Sequence, residues 1–86
     1  MTKKEMHSAI NKQVYNWLNE RNIQFEVEMG GRVTVMVGES SDDWFDYHQS
    51  HHTVCGLNWA SDESQSIMSE LEEYIDVVIN QVGEAA

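Results

Sequence analysis

The apolar positions of this chain change period along its length, and each change marks an element. Between residues 3 and 21, Met6, Ile10, Val14, Trp17 and Leu18 recur three and four apart. That is the repeat of one helix face, so the segment predicts an amphipathic helix. Thr2 stands three residues before Glu5, the capping-box pattern that satisfies free N–H groups at a helix start. Asn22 is the expected stop. From residue 23 the period shortens to two. Ile23, Phe25, Val27 and Met29 alternate with Gln24, Glu26 and Glu28, and after Gly30-Gly31 the alternation resumes with Val33, Val35 and Val37.

The hairpin register follows from keeping the apolar groups on one face. A two-residue loop would set Phe25 opposite Met36 and turn the valines to the polar side. A three-residue loop, Gly30-Gly31-Arg32, pairs Met29 with Val33, Val27 with Val35 and Phe25 with Val37. The longer loop, or a bulge, is therefore expected.

The middle of the chain carries weaker signals. Glu39-Ser40-Ser41-Asp42-Asp43 is a polar break, and Trp44 to His48 suits either a short strand or a helical turn capped by Ser41. Val54, Cys55, Leu57 and Trp59 read as a strand over 53–59, with Gly56 at a bulge. A second helix is expected over 62–82. Ser61 is its N-cap, and Asp62 and Glu63 sit at the positive helix start. Ile67, Met68, Leu71, Tyr74, Ile75, Val78, Ile79 and Val82 form its apolar face, and Gly83 is its stop. The expected fold is a single α+β domain over 1–86, in the order α-β-β-β-α, with an antiparallel sheet packed on two helices. A fourth short strand or a helical turn would fall in 40–50.

Charge changes this picture more than composition does. The chain has 86 residues and a net charge of −10, and 41% of its residues are apolar, enough for a folded core. Lys3, Lys4, Lys12, Arg21 and Arg32 face Glu5, Glu20, Glu26 and Glu28 within the first 32 residues, a balance of +1. Residues 33–86 hold eleven acids and no Lys or Arg. Carboxylates in such a segment repel one another and have no local cation to pair with. Solubility, or adaptation to salt, would explain acidity; the balanced first third argues against salt adaptation. No apolar run approaches the ~20 residues of a membrane span. The basic N-terminus lacks an apolar stretch after it, and Cys55 is the single cysteine. A cytoplasmic setting, in a bacterium or a phage-infected cell, is the resulting expectation.

Four constellations carry candidate chemistry. The first is the acidic side of the second helix, where Asp62, Glu72, Glu73 and Asp76 cluster opposite the apolar face, with Glu63 and Glu70 at its margins. Carboxylates three and four apart on a helix lie ~5–6 Å from one another. Such a row can enter a site built for a nucleic-acid backbone, with Asp42, Asp43 and Asp46 extending it. The second is Asp46, His48, His51, His52 and Cys55. All five are metal-ligand types, and His48, His52 and Cys55, with Asp46 fourth, are the candidate ligands, although the spacing matches no structural zinc pattern. No cofactor is expected. The third, Cys55 as a thiol nucleophile beside a histidine, lacks any signal of the required geometry, and no enzyme is expected. The fourth is aromatic: Trp44, Phe45, Tyr47 and Trp59 lie near the acids, as interface anchors or as caps on the core.

Double-stranded-RNA-binding domains share the α-β-β-β-α order but use basic residues on their second helix. The acidic helix here implies no direct nucleic-acid contact. In size, acidity and mixed order the chain resembles two groups. One is the phage-encoded inhibitors of host nucleases, including anti-CRISPR, anti-restriction and uracil-glycosylase inhibitor proteins. The other is the immunity proteins that neutralise nuclease toxins. The acidic surface itself points to a basic nucleic-acid-binding protein or complex as partner, as the resemblance also implies, with Asp42, Asp43, Trp44, Asp46, Glu70, Glu72, Glu73 and Asp76 as the expected contacts. The alternative is an assembly subunit or homodimer acting through an apolar patch. A small metal-binding protein ranks below both.

Overall fold

A computed structural model describes residues 2–56 and 60–85. Helix α1 spans Lys3–Glu20, strand β1 Gln24–Val27, strand β2 Arg32–Met36, a 3-10 turn Ser41–Asp43, strand β3 Trp44–His48, strand β4 Thr53–Gly56 and helix α2 Asp62–Ala85. The strands form an antiparallel meander in the order β1-β2-β3-β4. The expected α+β fold is what the chain adopts. The ambiguous 40–50 segment contains both a helical turn and a fourth strand.

Local chemistry explains the element ends. Thr2 Oγ1 accepts from the Glu5 amide at 3.1 Å and donates to the Glu5 carboxylate at 3.0 Å, fixing the start of α1. Asn22 has a φ of +57°, a conformation that asparagine tolerates well. The Ile23 amide then reaches Leu18 O and the Asn22 amide reaches Asn19 O, which satisfies carbonyls left free at the helix end.

The β1–β2 register differs from expectation by two residues. Val27 pairs with Val33 and Phe25 with Val35. The loop has three residues, as expected, but they are Met29-Gly30-Gly31. Gly30 and Gly31 take φ values of +87° and +84°, which side-chain-bearing residues resist, so the turn must centre on them. The Glu28 amide donates to Arg32 O at 2.7 Å and the Glu28 carboxylate meets Arg32 Nε at 2.9 Å, closing the loop ends. Because the slip is an even number, every apolar side chain keeps its face. Met29 leaves the strand and is 100% exposed, and Val27, at the end of β1, is 56% exposed.

Both helices cover one face of this sheet. Val33 and Val35 of β2, and Phe45 and Tyr47 of β3, are buried against Val14, Trp17 and Leu18 of α1 and Leu71 and Ile75 of α2. Each such side chain contributes about 1.5–3 kcal/mol on burial, which is how a small domain holds together. The helices also meet directly: Trp17 packs on Tyr74 with ring centroids 6.0 Å apart, and Tyr74 Oη donates to Gln13 Oε1.

The start of α2 is built as expected on Ser61, whose Oγ accepts from the Ser64 amide at 3.2 Å. The same hydroxyl donates to Asp43 Oδ1 at 2.5 Å, and the Ser61 amide donates to Asp42 O. The 3-10 turn is capped by Ser40, whose Oγ accepts from the Asp42 amide, so Ser41 is not a cap. Gly83 does not end α2, which runs on to Ala85. A Cβ at Gly83 would meet no described atom within 4 Å. Gly56 is the last residue of β4, opposite Phe45, with no bulge in the pairing. A Cβ there would come within 2.5 Å of the Met68 thioether, so its bareness lets α2 sit close to the sheet. The expected strand residues Leu57 and Trp59 lie outside the described residues. Ile79, assigned to the apolar face, is 37% exposed.

Candidate acidic interface

The acids of α2 stand where helical geometry sends them. Leu71, Ile75 and Val78 are buried, while Asp62, Glu63, Glu70, Glu72, Glu73 and Asp76 are all exposed. From Asp62 to Asp76 the ridge runs about 21 Å along a rigid axis. Among the described residues, the ion pairs are those of Arg32 with Glu28 and Asp46. Arg21 is engaged elsewhere, its guanidinium 3.8 Å from the Trp17 ring centroid and its Nη1 on Trp17 O. The α2 carboxylates are therefore compensated by no intramolecular cation among those residues. Their i,i+3 and i,i+4 neighbours, such as Glu70–Glu73 and Glu72–Asp76, are like-charged and cost a few tenths of a kcal/mol each.

The acids of the 39–46 segment do not all join this ridge. Asp42 lies at the N-terminal end of α2, its carbonyl bonded to Ser61, and its carboxylate is exposed. Asp43 is half-buried and its carboxylate serves Ser61, so it is a structural acceptor first. Asp46 and Trp44 project from the open face of the sheet, because alternation in β3 sends Phe45 and Tyr47 to the helices. The expected contact set thus divides. Glu70, Glu72, Glu73 and Asp76 lie along α2 with Asp42 beside its N-terminal end, and Trp44 and Asp46 lie on the opposite face of the sheet.

The same alternation divides the candidate metal ligands. His48 and Asp46 point to the open face with Cys55, which opposes Asp46 in β4 and is exposed. His52 lies on the helix side. Among the described residues no three His, Cys, Asp or Glu side chains converge as a ligand set.

His52 belongs instead to a polar chain that spans from α1 to the β3–β4 turn. Its Nε2 meets His7 Nδ1, the two rings stacking with centroids 4.7 Å apart, and its Nδ1 lies 3.0 Å from Tyr47 Oη. Tyr47 Oη donates to Asn11 Oδ1 at 2.6 Å. Burial, with Tyr15 nearby, holds the Tyr47 phenol well above the ordinary tyrosine range. Burial, then His7 and His51, push the His52 imidazole below the ordinary histidine value. Sequence reading missed His7, because nothing local marks a helix histidine as the partner of a turn 45 residues away.

Comparison with protein families, with curated proteins and with solved structures finds no significant match to this chain.

Proposed function

We propose that this chain is an acidic binding protein that occupies the basic nucleic-acid-binding surface of a partner enzyme or complex and blocks it. The observation that carries this reading is the α2 ridge: six exposed carboxylates on a rigid helix, with no Lys or Arg anywhere after residue 32. Carrying unpaired like charges lowers stability, so the ridge asks for a partner that supplies the cations. Duplex DNA presents one charge per ~1.7 Å of axis, denser than six over about 21 Å. The ridge would therefore engage a subset of the cations lining a nucleic-acid channel. Long-range attraction steers such a partner in, and salt weakens it. Phage-type inhibitors of nucleases, anti-CRISPR and anti-restriction proteins are of this kind.

A second reading is an assembly subunit or homodimer, for which α2 offers two exposed apolar side chains, Val77 at 51% and Ile79 at 37%, on different sides of the helix. One experiment separates the two. Tagged protein is used as bait in a bacterial lysate and washed at low and then high salt. Release by salt of a nuclease, polymerase or nucleic-acid-guided complex supports the inhibitor. A partner indifferent to salt, or a bait that recovers only itself, supports the assembly subunit.

A further inference from the structure

We propose that the uncovered face of the sheet holds a receptor groove for one cationic side chain, an arginine of the basic partner inferred above, on which reading this proposal rests. The helices take the other face, and among the described residues no element covers this one. A groove of about 410 Å³ crosses it, lined by residues of all four strands. Strand pairing sets Glu26 opposite Thr34, Thr34 opposite Asp46 and Asp46 opposite Cys55, which makes one row across the sheet. At ~4.8 Å between strands, the Glu26 and Asp46 backbones stand about 10 Å apart with Thr34 midway. The next row towards the 3-10 turn is the cross-strand pair Met36 and Trp44.

Three observations select the occupant. Thr34 lines the groove and its buried Oγ1 has no hydrogen-bond partner among the described residues, and an unpaired buried hydroxyl is costly until a donor reaches it. Trp44 is 37% exposed, and its indole N–H is already given to Gly38 O at 3.0 Å. The ring is thus held in place, and what it has left to offer a ligand is its π face. The third observation is charge. Glu26, Glu28 and Asp46 line the groove against Arg32 alone. Arg32 Nε is 2.9 Å from Glu28 but 3.8 Å from Asp46, and Glu26 has no cation partner among the described residues. A cation over Thr34 would lie between the two under-compensated carboxylates, with its stem along Met36.

Arginine fits better than lysine. Its planar guanidinium stacks on an indole and forks between carboxylates, and it sheds water more readily than an ammonium. A nucleic acid is repelled by the three acids. A second copy seated face to face would set the same acids against themselves.

The test is a titration of ¹⁵N-labelled full-length protein at low salt with a short blocked peptide carrying a single arginine. The same peptide with citrulline, isosteric and uncharged, runs in parallel. The expected result is saturable movement of the Trp44 indole and the Thr34 and Asp46 amide signals with arginine and not with citrulline. Glu26→Gln and Trp44→Leu, both at exposed positions, should each weaken the arginine peptide about three- to tenfold. Movement confined to Glu70–Asp76 amides would overturn the groove and leave the acidic ridge standing. No movement anywhere would overturn the groove and leave the ridge to be judged by the lysate capture. Equal movement with citrulline, or movement on concentrating the protein without peptide, would replace the cation receptor by an apolar pocket or a self-association face.

Discussion

His7 Nδ1 and His52 Nε2 lie 2.6 Å apart, and the bond between them can exist only while one of the two nitrogens is unprotonated. The rest of the chain fixes which. Tyr47 gives its one proton to Asn11, so it must accept from His52 Nδ1–H. His52 Nε2 is then a lone pair, and His7 Nδ1–H donates to it.

Acid should therefore weaken the domain. Folding lowers the His52 pKa, so the unfolded chain binds this proton more tightly than the folded one. The stabilisation is complete above about pH 6.5, the ordinary histidine value, and is lost as pH falls below it towards the folded-state value. Melting temperature should fall as pH drops below about 6.5. His52→Asn, which suits the local φ of +54°, should flatten that slope. An unchanged slope in the variant would assign the effect to other groups.

Reversing the ridge should separate binding from folding. The triple variant Glu72→Lys, Glu73→Lys, Asp76→Lys keeps every buried contact of α2, because all three side chains are exposed. It also makes the 70/73 neighbours attractive, worth about 0.2–0.5 kcal/mol, while the 72/76 and 73/76 neighbours stay like-charged, and it brings the net charge of the chain nearer to zero. Thermal unfolding at low salt should show equal or higher stability, while capture of the basic partner is abolished. Retained capture would place the interface elsewhere.

Salt should act with opposite signs on the two properties. Screening relieves repulsion among the eleven acids of residues 33–86, so the folded state should gain stability as ionic strength rises. Partner affinity should fall over the same range. Denaturant melts and binding titrations at matched salt concentrations check both, and parallel trends would contradict the electrostatic account.

Two glycines should respond in opposite directions to alanine, although an added methyl group would meet open space at both. Gly30→Ala forces an L side chain to φ +87° and should cost about 1–2 kcal/mol. Gly83→Ala replaces a helical glycine and should stabilise by up to about 1 kcal/mol, less near a helix end. Denaturant midpoints measure both.

Periodicity made α1, β1, β2 and the core face of α2 legible, since a buried stripe has to be written into the residues that form it. The hairpin register was legible only in parity. Alternation fixes which face each residue takes, but the two glycine φ values decide where the turn centres. Segment 44–48 showed no clear period because Trp44, Phe45 and Tyr47 fall on both faces, Trp44 being an apolar residue on the open side. The division of the expected contacts followed from that strand: with β3 unplaced, Asp46 could not be set on the face opposite α2. The His7–His52 pair and the groove at Thr34 depend on contacts between distant segments, and no local pattern encodes them.

The meander is made of neighbours in sequence, but the core it serves is closed by α1 and α2, the first and last elements of the fold. During synthesis the hairpins can form as soon as their turns emerge. Val33, Val35, Phe45 and Tyr47 then wait, covered from one side only, until Leu71 and Ile75 have left the ribosome. A chain interrupted before residue 71 thus displays an apolar sheet to the cell, and intact release of α2 becomes the step that separates a folded molecule from a substrate for chaperones and proteases.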